Sequence, residues 1–227
     1  MNKSLWEKIK KAAQDSIKNP GKNNVSLPKF ESERYPEIYV FRHGESYDNR
    51  NKIFSGWRDS KLTEIGEHQA HVLASKLKSK DINLCITSPL TRSKETAKIA
   101  LANHPDIIFE EDQRVIERSY GDLQGTSKER LMMSHPDLAI KYRRAYDFPP
   151  PNGESMKMVE KRVFNFCEEL IERVKKNNIS VAVSCHGNSM RAIRRYFENL
   201  SIVEELTIEN PLAQDYAEYV VKTNKWN

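Results

Sequence analysis

Three short apolar runs constrain the fold of this chain more than any other feature. They are "EIYVF" (37–41), "INLCITS" (82–88) and "ISVAVSC" (179–185). A strand buried on both faces reads as such a run, whereas a strand with one wet face alternates. The segments between them have helical period. Thr63 caps one in which Ile65, Val72, Leu73 and Leu77 are expected to share a face, and "TRSKETAKIALAN" (91–103) gives another. Ser155 opens a long helix with the stripe Val159, Val163, Phe166, Leu170 and Val174. A further helix follows Asn188 and runs through Arg195 to about Asn199. "DIIFE" (106–110) adds a short strand, and residues 127–145 give one or two helices broken at His135-Pro136. Strands alternating with helices of roughly 10–20 residues build βαβ units. The expected fold is therefore α/β, a mostly parallel central sheet with helices on both faces. Ligands on such sheets bind beyond the carboxyl ends of the strands.

Those ends carry unusual residues. They read "FRHGES" (41–46), "ITSPLTR" (86–92) and "SCHGNS" (184–189). If the strands are neighbours, Arg42, His43, Arg92 and His186 converge on one pocket. Arginine presents a planar fork matched to phosphate oxygens. Helix N-termini add backbone N–H groups, and Gly44 and Gly187 permit close backbone approach. Surrounding cations keep an imidazole neutral, and the neutral form is the nucleophile. The set suits phosphoryl transfer through a phosphohistidine, with positioning and charge supplying most of the rate. A metal site fits poorly, because adjacent arginines repel a cation and no ligand triad has suitable spacing. His68, His71, His104 and His135 read as surface residues of helices and loops.

Charge narrows the partners. The net charge is +5, but residues 1–35 hold eight Lys/Arg against four Asp/Glu, so the body is nearly neutral. That argues against a broad nucleic-acid-binding face. No run approaches the roughly 18 apolar residues of a membrane span, and no signal-peptide core is evident. Cys85, Cys167 and Cys185 are scattered and read as free thiols, which places the chain in the cytoplasm. Residues 4–18 form an amphipathic helix, with Ser4 and Glu7 at capping-box spacing and Leu5, Ile9, Ala13 and Ile17 on one stripe. "NPGKNN" (19–24) stops it. The domain reading is a basic helical appendage and linker over 1–35 and a catalytic α/β domain over 36–227. Residues 1–30 hold no candidate site residue and are expected to be dispensable for chemistry.

The ordered segments "RHGESYDNRNKIFSGWRDSKLTEIGEHQA", "TSPLTRSKETA", "ERSYGDLQGTSK", "YRRAYDFPPPNGES" and "SCHGNSMRAI" resemble the histidine phosphatase superfamily. Within it they resemble the cofactor-dependent phosphoglycerate mutases, over roughly residues 36–220. The resemblance implies that His43 is phosphorylated, that Arg42, Arg92 and His186 hold the phosphoryl oxygens, and that Asn49 and the Gly187-Asn188 backbone assist. It implies Glu117 as general acid and base; a carboxyl beside an anionic substrate pocket has its charged form disfavoured, so its pKa is expected to rise toward the working range. It implies a grip on the substrate carboxylate by Lys128, Arg143 and Arg144, with Tyr120, Ser55 and Gly56 lining the pocket. The implied activity interconverts 3- and 2-phosphoglycerate, primed by 2,3-bisphosphoglycerate and without a metal. Two alternatives stand beside it: a broader phosphatase of the same superfamily, and a non-catalytic phospho-ligand-binding protein. The near-absence of residues between "PPP" and "GES" matches the short form of the mutases, a monomer or small homo-oligomer. "TIENPLAQDYAEYV" replaces the usual Pro-Thr-Gly-type turn before the last strand.

Overall fold

In the computed structural model, which describes residues 3–18 and 26–222, the apolar runs become strands of a single sheet. Among the described residues these are β1 (Glu37–Arg42), β2 (Leu84–Thr87), β3 (Ile108–Glu111), β4 (Val181–Cys185) and β5 (Ala217–Val220). Their order is β3-β2-β4-β1-β5. β1, β4, β2 and β3 pair in parallel, and β5 returns antiparallel beside β1.

The helices are α1 (Lys3–Lys18), α2 (Tyr47–Arg50), α3 (Glu64–Leu77), α4 (Thr91–Ala100), α5 (Lys128–Ser134), α6 (Pro136–Arg144), α7 (Met156–Asn177), α8 (Gly187–Glu198) and α9 (Ile202–Thr207). Thr63 and Ser155 cap α3 and α7 by accepting N–H bonds from Gly66 and Met158. Asn178 and Asn199 end α7 and α8 in the left-handed conformation, with φ of 51° and 52°. Pro136 starts α6 at its first turn, where a missing N–H costs nothing, so the break at His135 separates two helices.

Alternate residues of β1 feed opposite layers, as a strand buried on both faces must. Ile38 and Val40 pack with the α7 stripe, including Val159, Val163, Phe166 and Val174, and with Ile193 of α8. Tyr39 and Phe41 pack with Leu73 and Leu77 of α3 and Ala97 and Ala100 of α4. The α3 face differs from expectation. Ile65 is 53% exposed, and the buried row is Gly66, Gln69, Ala70, Leu73, Ala74 and Leu77. That row repeats at three and four residues and excludes position 65, one step around the helix. The small residues let α3 approach the sheet end closely. A Cβ on Gly44 would come 2.3 Å from the Gly66 carbonyl oxygen.

α1 lies against α6 and α9. Ile9 is fully buried with Met156 and Leu206, and Trp6, Tyr146 and Ile202 surround them. Lys10 pairs with Asp137 at 2.6 Å. The side chains of the remaining expected stripe, Leu5, Ala13 and Ile17, and the stop over 19–24 lie outside what is described. Among the described residues no helix is long and apolar enough to cross a membrane.

Candidate active site

The parallel pairing of β1 and β4 sets Arg42 opposite Cys185, so the next residue of each strand, His43 and His186, emerges at the same edge. The His43 N–H donates to the Cys185 carbonyl at 3.0 Å, and the two rings stand 5.0 Å apart at 56°. His43 Nδ1 lies 2.6 Å from the Gly44 carbonyl. A carbonyl only accepts, so Nδ1 carries the proton and Nε2 keeps its lone pair. Burial, then the cations of Arg92 and Arg42, hold the His43 pKa well below its usual value.

His186 is fixed from β2. Its Nε2 is 2.6 Å from Ser88 Oγ, and Ser88 Oγ also accepts the Leu90 N–H. A hydroxyl can accept twice as well as donate, so this bond fixes the ring for either tautomer, and the ring nitrogen it leaves over is Nδ1. That atom is buried without a hydrogen-bond partner. His186 is fully buried, its ring 5.0 Å from that of His43. Burial, Arg92, His43 and Arg42 lower its pKa as well.

Arg92, on the first turn of α4, is 1% exposed. It donates to the carbonyls of Arg58 and Gly56 at 3.0 and 2.9 Å. Gly56 is at φ 53°, which favours glycine, and a Cβ there would come 2.2 Å from Gln124 Oε1 and push that side chain aside. Arg42 donates to the Asn210 carbonyl at 2.9 Å. The Nε atoms of both arginines are buried without a partner. Asn49 commits its Oδ1 to Ser46, which leaves Nδ2 to offer an anion.

Glu117 Oε1 accepts three N–H groups: Arg118 N at 2.8 Å, Asn188 N at 3.1 Å and Asn188 Nδ2 at 3.0 Å. The expected rise of its pKa does not occur. Burial raises it, but those bonds, with Arg92 and Arg42, outweigh burial and hold the carboxyl below its usual value. A dianionic phosphoryl group would cancel this positive field and return the pKa upward. At Gly187 a Cβ would stand in ordinary van der Waals contact, 3.5 Å from the Arg42 guanidinium and 3.6 Å from Glu117 Oε2.

These groups line a cavity of about 120 Å³ together with Ser55, Tyr120, Lys128, Arg143 and Arg144. Burial, with Arg143 and Arg42, lowers the Lys128 pKa to about 8. Burial pushes the Tyr120 hydroxyl up, but Arg118 and Lys128 more than offset this and bring it to about 8. The adjacent arginines differ in state. Arg143 makes no hydrogen bond or ion pair through its guanidinium among the described residues. Arg144 is 7% exposed and donates to the Leu206 carbonyl at 3.2 Å and to Glu209.

Arg191, Glu209 and Asn210 also line the cavity and were not anticipated. Arg191 stands within the quoted "SCHGNSMRAI", where its charge on an otherwise buried helix face was a readable signal. Among the described residues no group of three or more His, Cys, Asp or Glu is placed to hold a metal ion.

Known proteins bracket this arrangement. Residues 38–220 match the model of a family described as the histidine phosphatase superfamily (branch 1). A 2,3-bisphosphoglycerate-dependent phosphoglycerate mutase of Methylobacterium sp. (strain 4-46) is 40% identical over 171 residues, covering 72% of this chain and 81% of that protein. The corresponding protein of Parvibaculum lavamentivorans is 36% identical, covering 75% and 84%. Among solved structures, Bacillus stearothermophilus YhfR aligns with a TM-score of 0.72 at 23% identity, covering 81% of this chain and 90% of that one. A phosphoglycerate mutase from Bacillus anthracis aligns with a TM-score of 0.62 at 21% identity, covering 82% and 92%. At these identities the structures speak for the fold alone.

Proposed function

The chain belongs to the histidine phosphatase superfamily, branch 1, and within it we propose that it interconverts 3-phosphoglycerate and 2-phosphoglycerate. 2,3-Bisphosphoglycerate supplies the phosphoryl group that primes His43. In the primed enzyme Glu117 is ionised and accepts the proton of the acceptor hydroxyl, as that oxygen bonds to phosphorus and the N–P bond of His43 breaks. In the return step His43 Nε2 bonds to the other phosphoryl group, the ester P–O bond breaks, and Glu117 gives its proton to the leaving oxygen. The unpartnered buried donors Arg42 Nε and Arg92 Nε fit the phosphoryl oxygens, and they cost no reorganisation when charge develops there.

The observation that carries this reading is a second cationic group in the same cavity. Arg143 and Lys128 take no part in holding the phosphoryl corner and are free to hold a carboxylate. A mutase needs that grip to retain the bisphosphate between transfers, and the relatives at 36–40% identity carry the mutase name. The three free, buried cysteines fit a reducing cytoplasm. One observation favours a phosphatase instead: Arg144, half of the expected carboxylate pair, is already engaged by Glu209.

An enolase-coupled assay tests the proposal. 2-Phosphoglycerate should form from 3-phosphoglycerate, and 2,3-bisphosphoglycerate should stimulate its formation. Release of inorganic phosphate without 2-phosphoglycerate would instead identify a phosphatase.

A further inference from the structure

Glu209 lies in the segment after α9 and reaches into the cavity between two arginines. One carboxylate oxygen pairs with Arg144, and the other lies 3.1 Å from an Arg191 nitrogen. Both guanidinium groups are thereby engaged on more than one nitrogen. Arg144 spends its other terminal nitrogen on the Leu206 carbonyl. Arg191 spends Nε on the Ile208 carbonyl at 2.9 Å and its other terminal nitrogen on Asn188 Oδ1 at 3.1 Å. Six cationic side chains line the cavity, and Glu209 removes two of them from service.

We propose that Glu209 is a specificity-determining residue, an internal carboxylate that occupies Arg144 and Arg191 and so confines the grip on a substrate carboxylate to Arg143 and Lys128. This rests on the reading that the second cationic group receives a carboxylate. Removing the charge of Glu209 frees one terminal nitrogen on each arginine, at positions that already line the cavity. The segment itself stays in place without that charge, because the carbonyls of Leu206 and Ile208 hold the two arginines independently. Glu209 is also a permanent charge. Burial raises its pKa, but Arg144, Arg191 and Arg42 outweigh this and hold it well below the usual carboxylate range.

Calorimetric titration with 2-phosphoglycolate and with inorganic phosphate tests this without any turnover. The first ligand carries a phosphoryl group and a carboxylate, the second only the phosphoryl part. Wild type should bind phosphoglycolate more tightly than phosphate. Glu209→Gln should tighten phosphoglycolate by at least ~10-fold, or ~1.4 kcal/mol, and change phosphate by less than ~3-fold. Glu209→Ala should behave alike, which separates charge from the amide's own hydrogen bonds. If wild type gains nothing from the carboxylate, the mutase reading itself falls. If it does gain, but both variants bind phosphoglycolate no better than wild type, or tighten both ligands equally, the role given to Glu209 is wrong.

Discussion

The His186 ring stands 5.0 Å from that of His43 and is oriented by Ser88, a residue of a third strand end. Each imidazole thus has one nitrogen committed: Nδ1 of His43 to a backbone carbonyl, Nε2 of His186 to a hydroxyl. Ser88→Ala should free the His186 ring while leaving His43 untouched. Turnover should fall by ~10-fold, since one general positioning bond is lost, with KM nearly unchanged and the fold intact by circular dichroism. An unaltered kcat would show that the hydroxyl is only packing.

Lys128 and Tyr120 set an alkaline limit. With both pKa values at about 8, raising the pH removes a cation and adds a phenolate. Both changes weaken the hold on an anion. The pH profile of kcat/KM for 3-phosphoglycerate should therefore fall above about pH 8. Lys128→Arg, which does not titrate there, should shift the fall upward. For a small phosphate ester without a carboxylate the decline should be much shallower. A profile flat to pH 10 for wild type would remove Lys128 from the binding step.

Arg143 and Arg144 should separate on mutation. Arg143→Gln removes the unengaged guanidinium and should raise KM for 3-phosphoglycerate by ~10-fold or more, at ~1.4 kcal/mol per decade, with small-ester hydrolysis little changed. Arg144→Gln breaks the pairing with Glu209 and the bond to Leu206, so thermal stability should fall along with activity. Identical effects of the two variants on both KM and melting temperature would contradict the assignment.

α1 should contribute stability rather than chemistry. Ile9→Ala leaves a gap between Met156 and Leu206, a class of change that costs about 2–5 kcal/mol in a closed core. Undocking of α1 caps the loss here, so a fall in melting temperature of several degrees is expected, with kcat within ~3-fold. A larger loss of kcat would mean that α1 holds α9, and hence Glu209 and Asn210, in their working positions.

Arg42, His43, Arg92 and His186 were legible because each follows a buried strand within a residue or a turn, and parallel pairing aligns strand ends. The pairing of Ser88 with His186 is not legible in the sequence, because a hydrogen bond across strands has no local signature. Arg143 and Arg144 read as a pair in the linear sequence. On a helix, neighbours point about 100° apart, so one faces the cavity freely and the other meets Leu206 and Glu209. Glu209 and Asn210 reach the site through bonds to Arg42, Arg144, Arg191 and Arg194, residues far away in the chain, which local pattern does not encode. The sign of the Glu117 shift was missed for a related reason. It depends on N–H groups of Arg118 and Asn188 converging from different parts of the chain.

The fate of the phosphoryl group on His43 tests the central claim most directly. Incubation with 2,3-bisphosphoglycerate labelled in its phosphoryl groups should give an acid-labile, base-stable adduct, absent in His43→Ala. Chasing the isolated adduct with excess 3-phosphoglycerate should send most of the label into phosphoglycerates, faster than it appears as inorganic phosphate. Label that passes to water at the same rate with and without 3-phosphoglycerate would contradict the account and make this enzyme a phosphatase.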